Sequence, residues 1–131
     1  MFRFCAWALA ATVLIAAAGC GDGRLQTRGR VVKGGVAFVP PEGEFVRVTF
    51  YPMSTATGDA YAAEVRREDA TFRVAGKDGS GMPPGKYRVA VEHDRKRSDL
   101  LKGKFGAANS PFTFDVTAST GEIVLDLDKT P

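Results

Sequence analysis

From residue 30 onward the apolar residues recur at every second position. Val32, Gly34, Val36 and Phe38 share one side of an extended segment, and Val46, Val48 and Phe50, followed by Pro52, share one side of the next. Tyr61, Ala63 and Val65 alternate with Ala62, Glu64 and Arg66, and Phe72 and Val74 form a short run. Tyr87, Val89 and Val91 alternate with Lys86, Arg88, Ala90 and Glu92; Phe112, Phe114 and Val116, then Ile123, Leu125 and Leu127, repeat the pattern. A period of two sends successive side chains to opposite faces, so each stretch predicts a strand with one apolar side. Seven such strands in about a hundred residues bury those sides by packing as two antiparallel sheets. The connections hold Gly, Pro, Ser, Thr and Asp, as tight turns require. The pattern therefore predicts an all-β sandwich. One short helical turn is expected at Ser98–Lys102, with Ser98 as its cap.

The first nineteen residues follow a different rule. One positive charge at Arg3 precedes a run from Cys5 to Ala18 without any charge, ending in small residues, as a secretory signal does. The run is short for a bilayer span. Its end, Ala17-Ala18-Gly19-Cys20, resembles a bacterial lipobox, in which the cysteine is acylated and becomes the first residue of the mature chain. Cleavage after Ala16-Ala17-Ala18 by an ordinary signal peptidase is the alternative. Cys5 would leave with the signal, so Cys20 would be the single thiol of an exported chain with no partner for a disulfide, and a thioether-linked lipid such as palmitate-bearing glyceride accounts for it. The organisation expected is a signal peptide helix over 1–19, a polar, glycine-rich tether over 20–29 and a sandwich over 30–128.

Charge narrows the partners. The mature chain of 112 residues has 17 basic and 15 acidic residues, too even a balance for nucleic-acid binding. The expected partners are the membrane, through the lipid, and an envelope protein or polysaccharide.

Several motifs resemble a known group. Val32-Lys33-Gly34-Gly35-Val36 matches a V-x-G-x-V first strand and Val48-Thr49-Phe50-Tyr51-Pro52 a V-x-F-x-P second strand. Gly81-Met82-Pro83-Pro84-Gly85-Lys86-Tyr87-Arg88-Val89 matches a P-P-G-K-Y-x-V strand start, and Phe105 with Ser110-Pro111-Phe112-Thr113-Phe114-Asp115-Val116 a later K-Y…S-P-L-x-x-x-V stretch. In this order they resemble small lipoproteins of planctomycete-type bacteria with a carboxypeptidase regulatory-like, transthyretin-like domain. The resemblance implies a Greek-key sandwich and a non-catalytic surface role. Two turns depart from the group's pattern: Glu68-Asp69-Ala70-Thr71-Phe72 lacks the glycine of a D-x-D-G-x-F hairpin, and Val39-Pro40-Pro41-Glu42-Gly43-Glu44 replaces an Asp-Gly first hairpin.

Candidate chemistry is sparse. Gly76–Tyr87, GKDGSGMPPGKY, has the glycines and the Gly-Lys of a phosphate loop, but Pro83 and Pro84 remove amide donors and the following residues alternate as a strand instead of opening a helix. Asp78-Gly79-Ser80-Gly81 lacks the alternating oxygens of a calcium loop. His93 is the single histidine, and neither a catalytic triad nor a zinc site is complete around it. Asp126 and Asp128 are expected on one outward face of the last strand. Asn109 falls in a loop, unlike the late-strand asparagine of isopeptide-forming pilin domains. The chain ends without the Tyr-Arg-Gly-Ser of transthyretin-like hydrolases. No catalytic residue, metal or cofactor is expected. The remaining feature is a basic stretch, Arg95, Lys96, Arg97, Lys102 and Lys104 against Asp94 and Asp99, with net charge +3 in eleven residues. It suits either an anionic partner or a solvated loop whose charge discourages edge pairing.

Overall fold

A computed structural model describes residues 23–53 and 59–129. The expected signal peptide, Cys20 and the start of the tether lie outside the described residues. Within them the chain is all-β, with nine strands: β1 (Thr27–Lys33), β2 (Val36–Ala37), β3 (Phe45–Pro52), β4 (Tyr61–Glu64), β5 (Thr71–Val74), β6 (Gly85–Arg95), β7 (Ser98–Asp99), β8 (Thr113–Val116) and β9 (Ile123–Asp126).

They form two sheets. In the first, β1 is central. Gly29 and Arg30 pair with both β5 and β9, and Val32 pairs with both β2 and β9. A residue has only two edges, so β9 runs along one side of β1, and β2 and β5 share the other. In the second sheet β4 pairs with β3, β3 with β6, and β7 and β8 share the far edge of β6 by the same reasoning. The β1–β9 pair is parallel, which departs from the expected all-antiparallel pairing.

The inward faces meet in one core. Val31, Phe72, Val74, Ile123 and Leu125 of the first sheet pack with Val46, Val48, Phe50, Tyr61, Tyr87, Val89, Val91 and Val116 of the second. The Phe50 and Phe72 ring centroids are 6.2 Å apart across the interface, and Phe50 meets Tyr87 edge-on at 6.0 Å. Such aromatic pairs add to the stabilisation from buried area alone.

Four local expectations are corrected. Residues 32–38 are not one strand: Gly34 and Gly35, at φ 59° and 81°, make a two-residue turn between β1 and β2. Positive φ at both central residues is the geometry that suits a tight hairpin, and glycine adopts it freely. Secondly, the inward residues of β1 are Thr27, Gly29 and Val31, one position out of phase with the expected face. Two of those three carry no apolar signal, so alternation could not show where β1 begins, and residues 27–29 belong to a strand instead of a tether. Thirdly, Val39–Glu44 and Arg66–Ala70 are not hairpins; each crosses from one sheet to the other. Ala70 takes φ 59° where the resembled motif has glycine, and its methyl group is fully buried. Lastly, Ser98 starts β7 instead of capping a turn. Asp99 does the capping: its Oδ1 accepts from the amides of His93 and Leu101, and its Oδ2 from Gly103.

Gly29 is the tightest point of the first sheet. A Cβ there would lie 2.2 Å from the Ile123 carbonyl oxygen and 2.6 Å from the Phe72 ring. Beside it, the buried Thr27 hydroxyl has no hydrogen-bond partner among the described residues. Urea unfolding of Gly29→Ala should show a loss of about 3 kcal/mol, at the upper end of overpacking costs, because a main-chain oxygen cannot step aside. Thr27→Val should gain about 1 kcal/mol by removing an unpaired buried hydroxyl. Equal stability of all three proteins would contradict this packing.

Candidate functional site

The glycine-rich loop does its work on the N-terminal segment. Leu25 and Met82 form an antiparallel bridge, with Leu25 N donating to Met82 O at 2.7 Å and Met82 N to Leu25 O at 2.9 Å. Arg24 Nη1 donates to the Gly81 carbonyl at 3.2 Å, and Gln26 Nε2 to that of Gly79 at 2.5 Å. The glycines are there for clearance. A Cβ on Gly81 would lie 2.2 Å from the Leu25 carbonyl oxygen, and one on Gly76 would lie 2.2 Å from that of Gly81. Asp78 Oδ1 accepts from the hydroxyl and amide of Ser80, and these bonds, the hydroxyl's first, hold its carboxyl below the usual range. Met82 is fully buried, and the Tyr87 hydroxyl donates back to the Pro83 carbonyl at 2.6 Å. Burial pushes the Tyr87 phenol up. Pro83-Pro84-Gly85 thus launches β6, as the alternation after it predicts.

His93 lies on the inward face of β6. Its Nε2 is 2.6 Å from Glu44 Oε2, and both side chains are about nine-tenths buried. Phe38 meets the imidazole edge-on at 5.2 Å. Arg95 Nη1 is 3.5 Å from Glu44 Oε1, and Arg67 donates to the Glu44 carbonyl at 3.1 Å. These contacts tie the crossover into β3 to the end of β6. The pair was not legible in sequence, because Glu44 and His93 are 49 positions apart. Among the described residues no three His, Cys, Asp or Glu side chains come together as a metal site.

The two aspartates expected on one strand face are separated by the strand's end. Asp126 closes β9, and its Oδ1 accepts from the amides of Gly34 and Asp128, at 3.1 and 3.0 Å, while Asp128 lies in the following turn. Asp126 braces the β1–β2 turn. Asn109 donates to the Gly103 carbonyl at 3.1 Å, in the loop where it was expected.

Of the basic stretch, Lys96 and Arg97 occupy the β6–β7 turn with φ 49° and 67°, exposed like Arg95 before them. Arg95 reaches Glu44, Lys102 sits in the next turn at φ 52°, and the Lys104 amine lies 5.3 Å over the Phe105 ring. Lys96 and Arg97 line an open groove of about 650 Å³ with Phe45, Arg47, Glu92 and Asp94. Its floor is of mixed charge: Arg47 bonds Glu92 at 2.6 Å and Asp94 at 3.2 Å. Phe45 is about half exposed, and the Arg67 guanidinium lies 5.7 Å from its ring centroid.

A second positive surface was missed. Arg28 of β1 and Arg73 of β5 are direct cross-strand partners on the outer face of the first sheet. Each is simply an outward residue in its own strand, and the pair exists only through register. No family model, curated protein or solved structure matches the chain.

Glu44→Ala should cost about 2–3 kcal/mol in urea unfolding, since it leaves a buried imidazole without its partner. Arg95→Ser/Lys96→Ser/Arg97→Ser should change stability by under about 1 kcal/mol, because Lys96 and Arg97 are exposed and the Arg95–Glu44 contact is long, at 3.5 Å, with Arg95 itself more than half exposed. The reverse ranking would overturn the structural role given to Glu44.

Proposed function

We propose that this chain is a lipid-anchored, non-catalytic domain of a bacterial cell envelope, with a structural or protein-binding role. On this reading it is a transthyretin-like, carboxypeptidase regulatory-like Greek-key sandwich of the lipoprotein group its motifs resemble, exported by its signal peptide and held at Cys20. One observation supports it above the others. The chain is bonded into the fold from Arg24 and Leu25 onward, so only a few residues separate Cys20 from the domain. Five residues span at most about 18 Å. An acyl anchor at Cys20 would hold the domain against the bilayer surface, with any pull carried through the Leu25–Met82 bridge into β6. The acyl chains supply the membrane affinity, at about 0.8 kcal/mol for each buried methylene.

The groove beside Phe45 supports a protein partner more than an anionic polymer. A half-exposed aromatic ring flanked by arginines and carboxylates of both signs suits another protein's mixed surface. The second reading, a carbohydrate- or anionic-polymer-binding module using Arg95, Lys96, Arg97, Lys102 and Lys104, draws on the exposed turn tip. The carboxylates of Glu92 and Asp94 in the same groove would oppose a polyanion there.

Intact-mass analysis of protein extracted from membranes tests the anchor. The expected mature chain starts at Cys20 with lipid mass on that residue. An unmodified chain beginning after Ala18 would contradict it. In-cell crosslinking from a photoreactive residue at position 45 should then trap a discrete envelope protein, and its replacement by a glycan adduct would favour the second reading.

A further inference from the structure

The outer face of the first sheet carries two like charges in direct cross-strand register. Arg28, Arg30 and Arg73 all point outward from adjacent strands, and Arg28 lies directly opposite Arg73. Like charges in that position destabilise a sheet. Neighbouring arginines have been neutralised: Arg30 pairs with Glu122 at 3.0 Å and Arg66 with Glu68 at 3.7 Å. Among the described residues, Arg28 and Arg73 have no carboxylate partner. Arg73 is nevertheless held in place. Its Nε donates to the side-chain Oε1 of Gln26 at 2.9 Å, while Gln26 Nε2 donates to the Gly79 carbonyl. A neutral partner on Nε orients the guanidinium and leaves its charge uncancelled. Two adjoining clefts, of about 450 and 350 Å³, share Arg28 and Arg73 as walls; Thr120 and Gly121 close the first, and Arg66 and Glu122, the latter already paired with Arg30, line the second.

We propose that the Arg28–Arg73 pair is a binding site for a phosphate-type oxyanion, presented by the headgroup of an anionic phospholipid. Planar guanidinium forks match tetrahedral oxyanions through paired hydrogen bonds, and an anion between the two side chains removes their mutual repulsion. The lipid source follows from the length of chain outside the structure. Arg28 is eight residues after Cys20, and five of those, Arg24 to Arg28, are already bonded against the fold. This part of the inference rests on the anchoring reading. An anchor at Cys20 brings the face within reach of headgroups, where it would set the domain's orientation on the bilayer.

The test uses the full chain, so the apolar N-terminal segment contributes equally to every arm. Sedimentation with vesicles of phosphatidylcholine alone is compared with vesicles of equal parts phosphatidylcholine and phosphatidylglycerol. The wild type should partition more strongly onto the anionic vesicles, and Arg28→Gln/Arg73→Gln should lose on the order of 30-fold of that partitioning, at about fivefold per basic residue. Arg95→Ser/Lys96→Ser/Arg97→Ser should retain it. Unchanged partitioning in the Arg28/Arg73 variant, or a loss carried by the 95–97 variant instead, would overturn the site. Inorganic phosphate supplies the other arm: Nε–Hε signals of Arg28 and Arg73 that shift with free phosphate, without any vesicle preference, would show a soluble ligand and overturn the lipid source. Because the comparison does not depend on acylation, a failed lipid mass at Cys20 and a failed arginine site are separate outcomes.

Discussion

The organisation of this protein depends on main chain meeting main chain where no side chain fits. β1 and the residues leading into it are enclosed on both sides: Gly29 faces the Ile123 carbonyl, and Gly81 faces that of Leu25. At both points an added methyl group would stand 2.2 Å from an oxygen. The close approach lets β1 hold β2, β5 and β9 together, and lets Leu25 pair with Met82 before the strand begins. The rest of the first sheet is assembled on that strand. The second sheet, built on the β3–β6 pair, supplies the larger part of the core.

Much of this was legible in the chain. Alternation located the apolar faces of β3, β4, β5, β6, β8 and β9, because Val, Tyr, Phe, Ile and Leu at every second position have few other uses. It failed on β1, whose inward Thr27 and Gly29 look polar and flexible in isolation. The same glycine that hides the strand is what makes it possible. The turns misled for a related reason: Gly34-Gly35 read as part of a strand, while the proline-rich Val39–Glu44 read as a hairpin. Local turn chemistry shows that the chain bends, but not which sheet it enters next.

The candidate sites divide along the same line. Residues near one another in sequence could be weighed, so GKDGSGMPPGKY was recognised as a strand start and not a phosphate cradle. Its second role, fastening the N-terminal segment, needed the bridge to Leu25. The Glu44–His93 pair and the Arg28–Arg73 pair are each 45 or more positions apart, and only strand register brings them together. One is buried and satisfied, and it stabilises a crossover. The other is exposed and charged against itself, which is the arrangement expected of a surface that meets an anion.

The segment from Arg24 onward is part of the fold and not a loose leash. Native-state hydrogen exchange measures this directly, since each amide reports the free energy of the opening that exposes it. The amides of Leu25, Gly81 and Met82 should exchange with opening energies within about 1 kcal/mol of those of Val89 and Val91 in β6. Exchange of Leu25 and Met82 at the rate of a free chain, with β6 still protected, would contradict the account.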